Sequence, residues 1–107
     1  MRPTFIGPYY VPYEAHDTIR EVQVAVARHY RVPLADILGP EQATEYVRPR
    51  HVAMYLACRR TGKNSRQIGD RFRRDRTSII YADKKIGALR KVDPALDAEI
   101  RKLEGRL

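Results

Sequence analysis

The stretch NSRQIGDRFRRDRTSIIYADKKI, residues 64–86, decides the fold of this chain because it predicts two short helices joined at an arginine-rich junction. Asn64 and Gln67 have the spacing of a capping box, in which each side chain bonds a free backbone amide at a helix start. Ile68 and Phe72 follow one helical turn apart and form the start of an apolar face. The first half of the stretch therefore predicts a helix that begins near its first residue.

A second helix is predicted by a new cap and a new apolar stripe. The run from Arg73 to Arg76 interrupts the apolar period, and Asp75 within it can cap the helix that follows. The apolar stripe consists of Ile79, Ala82, Ile86 and Leu89. This pattern is typical of a helix-turn-helix, here over about residues 64–91, whose second helix enters the major groove with its N-terminal residues at the base edges. The residues at that end have the polar and cationic character that this role requires: Arg74, Asp75, Arg76, Thr77 and Ser78.

Positive charge is concentrated around the same stretch. The segment from Glu45 to Lys91 carries 14 Lys or Arg against 4 Asp or Glu, whereas the whole chain has a net charge of only +8. Local basicity of this kind indicates a polyanionic partner. A solvated basic face without a partner would show the same charge, but the arginine-rich junction between two helices favours DNA.

The remaining sequence predicts further helices and no strands. A chain of 107 residues, 43% hydrophobic and 32% charged, has the length and composition of one globular domain. Helical spacing and capping residues predict helices after Asp17, over Leu34 to Leu38, over Arg48 to Arg60 and from Pro94 onward. We therefore predict a single compact all-α domain of about five to six helices over residues 17–107.

Residues 1–16, MRPTFIGPYYVPYEAH, predict an extended N-terminal arm. Pro3, Pro8 and Pro12 each fix a backbone dihedral and remove an amide donor, which disfavours a helix. This arm could pack on the domain or stay loose.

Patterns that would support catalysis or cofactor binding are not found. Residues 61–64, TGKN, resemble a phosphate loop but lack its upstream glycine and the hydroxyl residue that would bind magnesium. His16, His29 and His51 fall on different predicted elements without other ligands at metal-binding spacing. Cys58 is more typical of a small packing residue than of a nucleophile. We predict no enzyme, no metal, no nucleotide and no other cofactor.

The sequence also favours a cytoplasmic, nucleoid-associated protein. Its apolar stretches fall far short of the roughly 20 residues of a membrane span, and no leader pattern is found at the N-terminus. We therefore predict no membrane association.

Two blocks resemble the C-terminal DNA-binding domain of the bacterial replication initiator DnaA. They read RPRHVAMYLA at residues 48–57, and IGDRF followed by RDRTSIIYA at residues 68–72 and 74–82. The resemblance extends from about residue 18 to residue 107 and implies an all-α domain of about six helices. It also implies that Arg50 contacts a phosphate. Several residues would fall on the family's base-contacting Arg-Asp-His-Thr-Thr signature, with arginine replacing the histidine: Arg74, Asp75, Arg76, Thr77 and Ser78.

Two local departures from the family bear on DNA recognition. The family usually has Gly-Gly before the signature arginine, whereas this chain has only Arg73 there. A basic loop whose arginine enters the minor groove is replaced here by PEQATE, residues 40–45. We therefore predict that specificity comes mostly from the major groove. The family's ATPase domain is not part of this sequence, so we expect no ATP-dependent opening of an origin by this chain alone.

The sequence thus predicts a stand-alone, sequence-selective double-stranded DNA-binding protein that regulates transcription or replication. The predicted base readers are Arg74, Arg76, Thr77 and Ser78, with Asp75 as a cap that could also accept from a cytosine amino group, although capping alone would explain it. The predicted phosphate contacts are Arg50, Lys63, Arg66, Arg73, Lys84 and Lys85. The alternative is a protein-interaction module that binds its partner through the N-terminal arm or the C-terminal stripe Leu96, Ile100, Leu103 and Leu107. That stripe could equally be part of the core.

Overall fold

The computed structural model describes residues 17–40 and 42–107, and the regular structure in them is helical throughout. The helices are α1 (Thr18–Tyr30), α2 (Leu34–Leu38), α3 (Thr44–Thr61), α4 (Ser65–Phe72), α5 (Arg76–Val92) and α6 (Pro94–Arg106). The prediction of an all-α domain of five to six helices is confirmed. The predicted N-terminal arm, residues 1–16, lies outside the described residues.

The α3 helix begins four residues earlier than predicted because it accommodates Pro49 in its second turn. The Ala43 carbonyl accepts from the amides of Tyr46 and Val47, at 2.9 and 3.1 Å, and thereby starts the helix. Proline removes the bond that the carbonyl four residues before it would accept. That residue is Glu45, which is exposed, so water can satisfy its carbonyl. The predicted start of this helix at Arg48 was therefore wrong.

The hydrophobic core forms around α3, which contacts α1, α2, α4 and α5. Val52, Ala53 and Leu56 of α3 are fully buried. From α4 and α5 come the predicted apolar residues Ile68, Phe72, Ile79, Ala82 and Ile86. The α1 helix contributes Ile19, Val22 and Val26. The aliphatic stripe of α6 belongs to the same core, since Leu96, Ile100 and Leu103 are at most 2% exposed. It is therefore not a free surface for a protein partner.

The turn between α4 and α5 packs unusually close to α4. Arg73 adopts the left-handed conformation, with φ 57° and ψ 39°, and its amide donates to the Gly69 carbonyl. The Arg74 amide donates to the same carbonyl at 2.9 Å. A Cβ atom at Gly69 would lie 2.5 Å from the Arg74 carbonyl oxygen. Glycine at this position is therefore what lets the turn lie directly on the helix.

Polar side-chain contacts hold the last turn of α4 and the last turn of α5 in place. The Gln23 side chain of α1 donates to the Arg71 carbonyl at the end of α4, at 2.9 Å. Near the far end of α5, Arg90 donates to Asp97 at 2.7 Å and to the Tyr55 hydroxyl at 3.2 Å. The orientation of α5 is thus fixed by α3, α4 and α6 together.

Replacing Gly69 with alanine should destabilise the domain by about 1–3 kcal/mol or more, because the added methyl group meets backbone that cannot move without displacing the turn. Gly87→Ala in α5 is the matched control. Its Cβ would make an ordinary 3.7 Å contact with Cε1 of Tyr55, so it should stabilise the helix by about 0.5–1 kcal/mol. Urea unfolding measures both changes. Equal effects of the two substitutions would show that the close approach at Gly69 does not matter.

Candidate nucleic-acid interface

The first turns of α5 present an exposed polar and cationic face. Arg73, Arg76 and Thr77 are exposed, and Arg74 and Ser78 are half-buried. The opposite face of α5 is the apolar stripe that packs into the core. The structure therefore brings these five predicted residues together at one end of α5, with the end of the helix held against the body of the protein.

Asp75 organises the start of α5 through one carboxylate oxygen. Its Oδ1 accepts from the Ser78 amide at 3.0 Å, the Ser78 hydroxyl at 3.2 Å and the Thr77 hydroxyl at 2.6 Å. These bonds, that of the Thr77 hydroxyl first, lower the pKa of Asp75 below its ordinary value. The prediction that Asp75 caps α5 is confirmed. Since the Thr77 hydroxyl proton points to Asp75, the remaining lone pairs of that hydroxyl can only accept, and its methyl group can make apolar contacts.

Arg74 connects the turn to the end of α2. Its Nη2 donates to the carbonyl of Gly39, the residue that ends α2, at 2.7 Å. The same side chain lines clefts on both sides of it. Arg74 is therefore partly a structural residue, whereas Arg76 projects from the surface.

Clefts lie on both sides of the start of α5, against α3 on one side and α4 on the other. The larger, about 510 Å³, lies between α5 and the first half of α3 and is lined by Gln42, Val47, Arg50, His51, Met54, Arg74, Thr77, Ser78 and Tyr81. It adjoins a cleft of about 410 Å³ that includes Arg48 and Lys85. The smaller cleft on the α4 side, about 330 Å³, is lined by Arg66, Asp70, Arg74, Asp75 and Arg76. Both sides of the helix start are therefore concave and bordered by cations.

Arg50, which was predicted to contact a phosphate from the surface, is buried instead. The residue is only 3% exposed. Its Nε donates to the Ile37 carbonyl at 2.7 Å and its Nη2 to the Asp36 carbonyl at 2.8 Å. The last carbonyls of a helix have no partner within the helix, and a cation is favoured beside them. Arg50 therefore joins α2 to α3 beneath the larger cleft, and its position does not support a direct phosphate contact.

His51, whose sequence context suggested nothing beyond a possible metal ligand, lines the larger cleft. Its ring packs edge-to-face on Tyr81, with centroids 5.7 Å apart, and the Lys85 ammonium lies 5.5 Å from the centre of the Tyr81 ring. Burial, followed by the charges of Lys85, Arg50 and Arg48, lowers the pKa of His51 to about 4. Because Tyr81 follows Thr77 by four residues, the helical spacing alone would have predicted that the two side chains share one face of α5. The pairing with His51 depends on tertiary structure.

The other predicted phosphate contacts occupy different parts of the surface. Lys63 and Arg66 are exposed at the start of α4, and Lys84 is exposed on α5. Arg66 borders the cleft on the α4 side, while the half-buried Lys85 borders the cleft beside His51. The cations thus lie on both sides of the start of α5.

Within residues 17–40 and 42–107, no three metal-ligating side chains form a cluster. Burial raises the pKa of the Cys58 thiol to about 11, which disfavours the thiolate and agrees with a packing role. None of the helices described has the length and apolar character needed to cross a membrane.

The comparisons with known proteins agree with this geometry. Residues 19–86 match the family model described as bacterial dnaA protein helix-turn-helix. The chain is also similar to proteins named chromosomal replication initiator protein DnaA. The relative from Sphingopyxis alaskensis is 44% identical over 84 residues, which cover 78% of this chain and 18% of that protein. The relative from Roseobacter denitrificans is 36% identical over 91 residues, which cover 84% of this chain and 20% of that protein. The chain thus spans about a fifth of the length of these relatives.

Arg50→Ala should lower the stability of the DNA-free protein by about 2–4 kcal/mol, because it leaves buried carbonyls at the end of α2 without their charged donor. The exposed Arg66→Ala variant is the control and should change stability by no more than about 0.5 kcal/mol. Thermal unfolding without DNA measures both. If the two variants are equally stable, Arg50 does not have the structural role assigned here.

The His51 pKa predicts a specific dependence of stability on pH. Because the pKa falls from 6.5 to about 4 on folding, the unfolded chain binds a proton first as the pH drops. The contribution of His51 to stability is therefore complete above pH 6.5 and decreases as the pH falls toward 4. His51→Gln should lose less stability than the wild type between pH 7 and 4.5 in urea unfolding. An identical loss in both proteins would assign the pH dependence to other groups.

Proposed function

Since this chain belongs to the bacterial DnaA helix-turn-helix family and is a DNA-binding domain, we propose that it binds double-stranded DNA sequence-selectively through the start of α5. The observation that carries this proposal is the exposed face formed by Arg76 and Thr77 at a capped and anchored helix end. A helix of this kind fits the major groove with its first residues at the base edges.

The base-reading roles follow from the donors and acceptors at this end. The guanidinium of Arg76 can donate two hydrogen bonds at once, to O6 and N7 of guanine. Thr77 offers an acceptor for an amino group of adenine or cytosine, because its proton is held by Asp75. The Ser78 hydroxyl, which also donates to Asp75, would likewise accept from a base amino group, from a less exposed position. The second carboxylate oxygen of Asp75, Oδ2, would accept from a cytosine amino group. Arg74 would reach bases only with the part of its guanidinium not bound to Gly39.

Phosphate contacts would come from cations on both sides of α5. The exposed candidates are Lys63, Arg66, Arg73 and Lys84, and Lys85 would act from the cleft beside His51. Arg50 would support this surface from below, by positioning α2 against α3 and by adding positive charge under the cleft. Such contacts supply affinity and register without reading sequence.

Specificity would come mostly from the major groove. Among the described residues of the loop before α3, Pro40, Gln42 and Ala43 carry no cation that a narrow minor groove would attract. Gln42 borders the larger cleft, and its side-chain amide donates to the Pro40 carbonyl at 3.3 Å. The loop thus lies beside the start of α5 without supplying positive charge there.

The biological role would be regulation of replication or transcription by binding alone. The relatives are named replication initiators, which supports a replication site as the target. The alternative of a protein-interaction module loses much of its support because the apolar stripe of α6 is buried in the core.

Selection of a preferred site from random duplexes, followed by fluorescence anisotropy over a range of salt concentrations, tests this proposal. About five to eight phosphate contacts would give a log-log salt slope of roughly −4.5 to −7. Arg76→Ala should lower affinity for the selected site by about 1–3 kcal/mol with little effect on a scrambled duplex. Lys84→Ala, the matched control on the same helix, should weaken both duplexes alike and reduce the slope by about 0.9.

Two results would count against the proposal. Equal affinity of the wild type for the selected and scrambled duplexes would exclude sequence-selective binding. Identical behaviour of the Arg76 and Lys84 variants on both duplexes would show that base readers and phosphate contacts are wrongly assigned.

A further inference from the structure

Ile80 is a large apolar side chain in the middle of the polar face of α5. It is 41% exposed, whereas its neighbour Ile79 is fully buried. Residues three and four positions apart are neighbours on a helix surface. Around Ile80 these are the exposed Arg76, Thr77 and Lys84 and the half-buried Asp83, whose carboxylate pairs with Arg59 at 3.1 Å. Ile80 therefore shares a face with the residues proposed to meet the DNA.

The position of Ile80 differs from that of the other large exposed apolar residues in the described part of the chain. Tyr81 packs against His51 and lies beneath the Lys85 ammonium, so its ring already has partners. Val92 is the last residue of α5, at the end opposite the proposed DNA contacts. Ile80 lies outside the core cluster and only one turn from the start of the helix. A single exposed isoleucine is ordinary in proteins, and what distinguishes Ile80 is its location beside the helix start.

The chemistry of the major groove identifies what Ile80 can contact there. The base edges present hydrogen-bond donors and acceptors and one apolar group, the C5-methyl of thymine. An aliphatic side chain placed against a donor or acceptor would remove its water without replacing the hydrogen bond. Contact with the methyl group instead removes apolar surface from water on both sides.

We propose that Ile80 is a specificity residue that contacts a thymine methyl group in the target site. This inference rests on the proposed function. Ile80 lies three residues beyond Thr77, which corresponds to about 4.5 Å along the helix. With base pairs spaced by about 3.4 Å, the thymine would lie one or two base pairs from the position that Thr77 reads.

Replacing each thymine of the selected duplex with deoxyuridine tests this contact, because it removes only the methyl group and keeps base pairing. The wild type should lose about three- to tenfold in affinity at one such position. Ile80→Ala should bind the unmodified duplex about three- to tenfold more weakly and lose nothing further from deoxyuridine at that position. Val92→Ala, the matched control on the same helix, should keep the full discrimination of the wild type.

The outcomes separate this inference from the proposed function. If the wild type prefers the selected duplex but no deoxyuridine weakens it, Ile80 contacts no thymine methyl. The same conclusion follows if Ile80→Ala remains as sensitive to every deoxyuridine as the wild type, since a sensitive position would then belong to another residue such as Thr77. If the wild type shows no preference for the selected duplex, both the proposed function and this inference fail. Ile80 is exposed, and circular dichroism of the variant would confirm that its helices are intact.

Discussion

The close approach of the turn to α4 at Gly69 is the constraint on which the proposed interface depends. With no Cβ at Gly69, the Arg74 carbonyl can lie directly on α4, and the amides of Arg73 and Arg74 can both donate to the Gly69 carbonyl. This arrangement sets where Asp75 stands and therefore where α5 begins. Arg74 then ties the turn to Gly39 on a second side. The start of α5 is thus positioned by backbone bonds to α4 and by one side-chain bond to the end of α2.

The left-handed conformation of Arg73 lowers the stability of the turn while placing a cation there. Glycine adopts this conformation without penalty, whereas a residue with a Cβ does so at a cost of roughly 1–2 kcal/mol. The turn places an arginine at this position. The arginine is exposed and adds a cation beside the clefts. The backbone strain at Arg73 therefore coincides with positive charge at the place where DNA would lie.

Most of the fold could be predicted because its signals are local. The capping box of Asn64 and Gln67 and the cap at Asp75 each involve residues three positions apart, so the sequence shows them directly. The parts that could not be predicted depend on contacts between distant residues. Arg50 is buried because the carbonyls of α2, 13 and 14 residues away in sequence, need a donor. The environment of His51 is created by Tyr81 and Lys85 of a different helix.

The structure also separates the groups that could give specificity from those that could give affinity. The hydroxyl of Thr77 and the amide of Ser78 are held by one carboxylate oxygen, so the first turn of α5 needs little further ordering on binding. Lys84 and Arg66 are long exposed side chains that lose rotamer freedom when they pair with phosphates. Their contribution also weakens as salt rises, whereas short-range contacts with base edges are much less screened. Discrimination between sequences should therefore come from the rigid helix end, where Thr77 and Ile80 share one face.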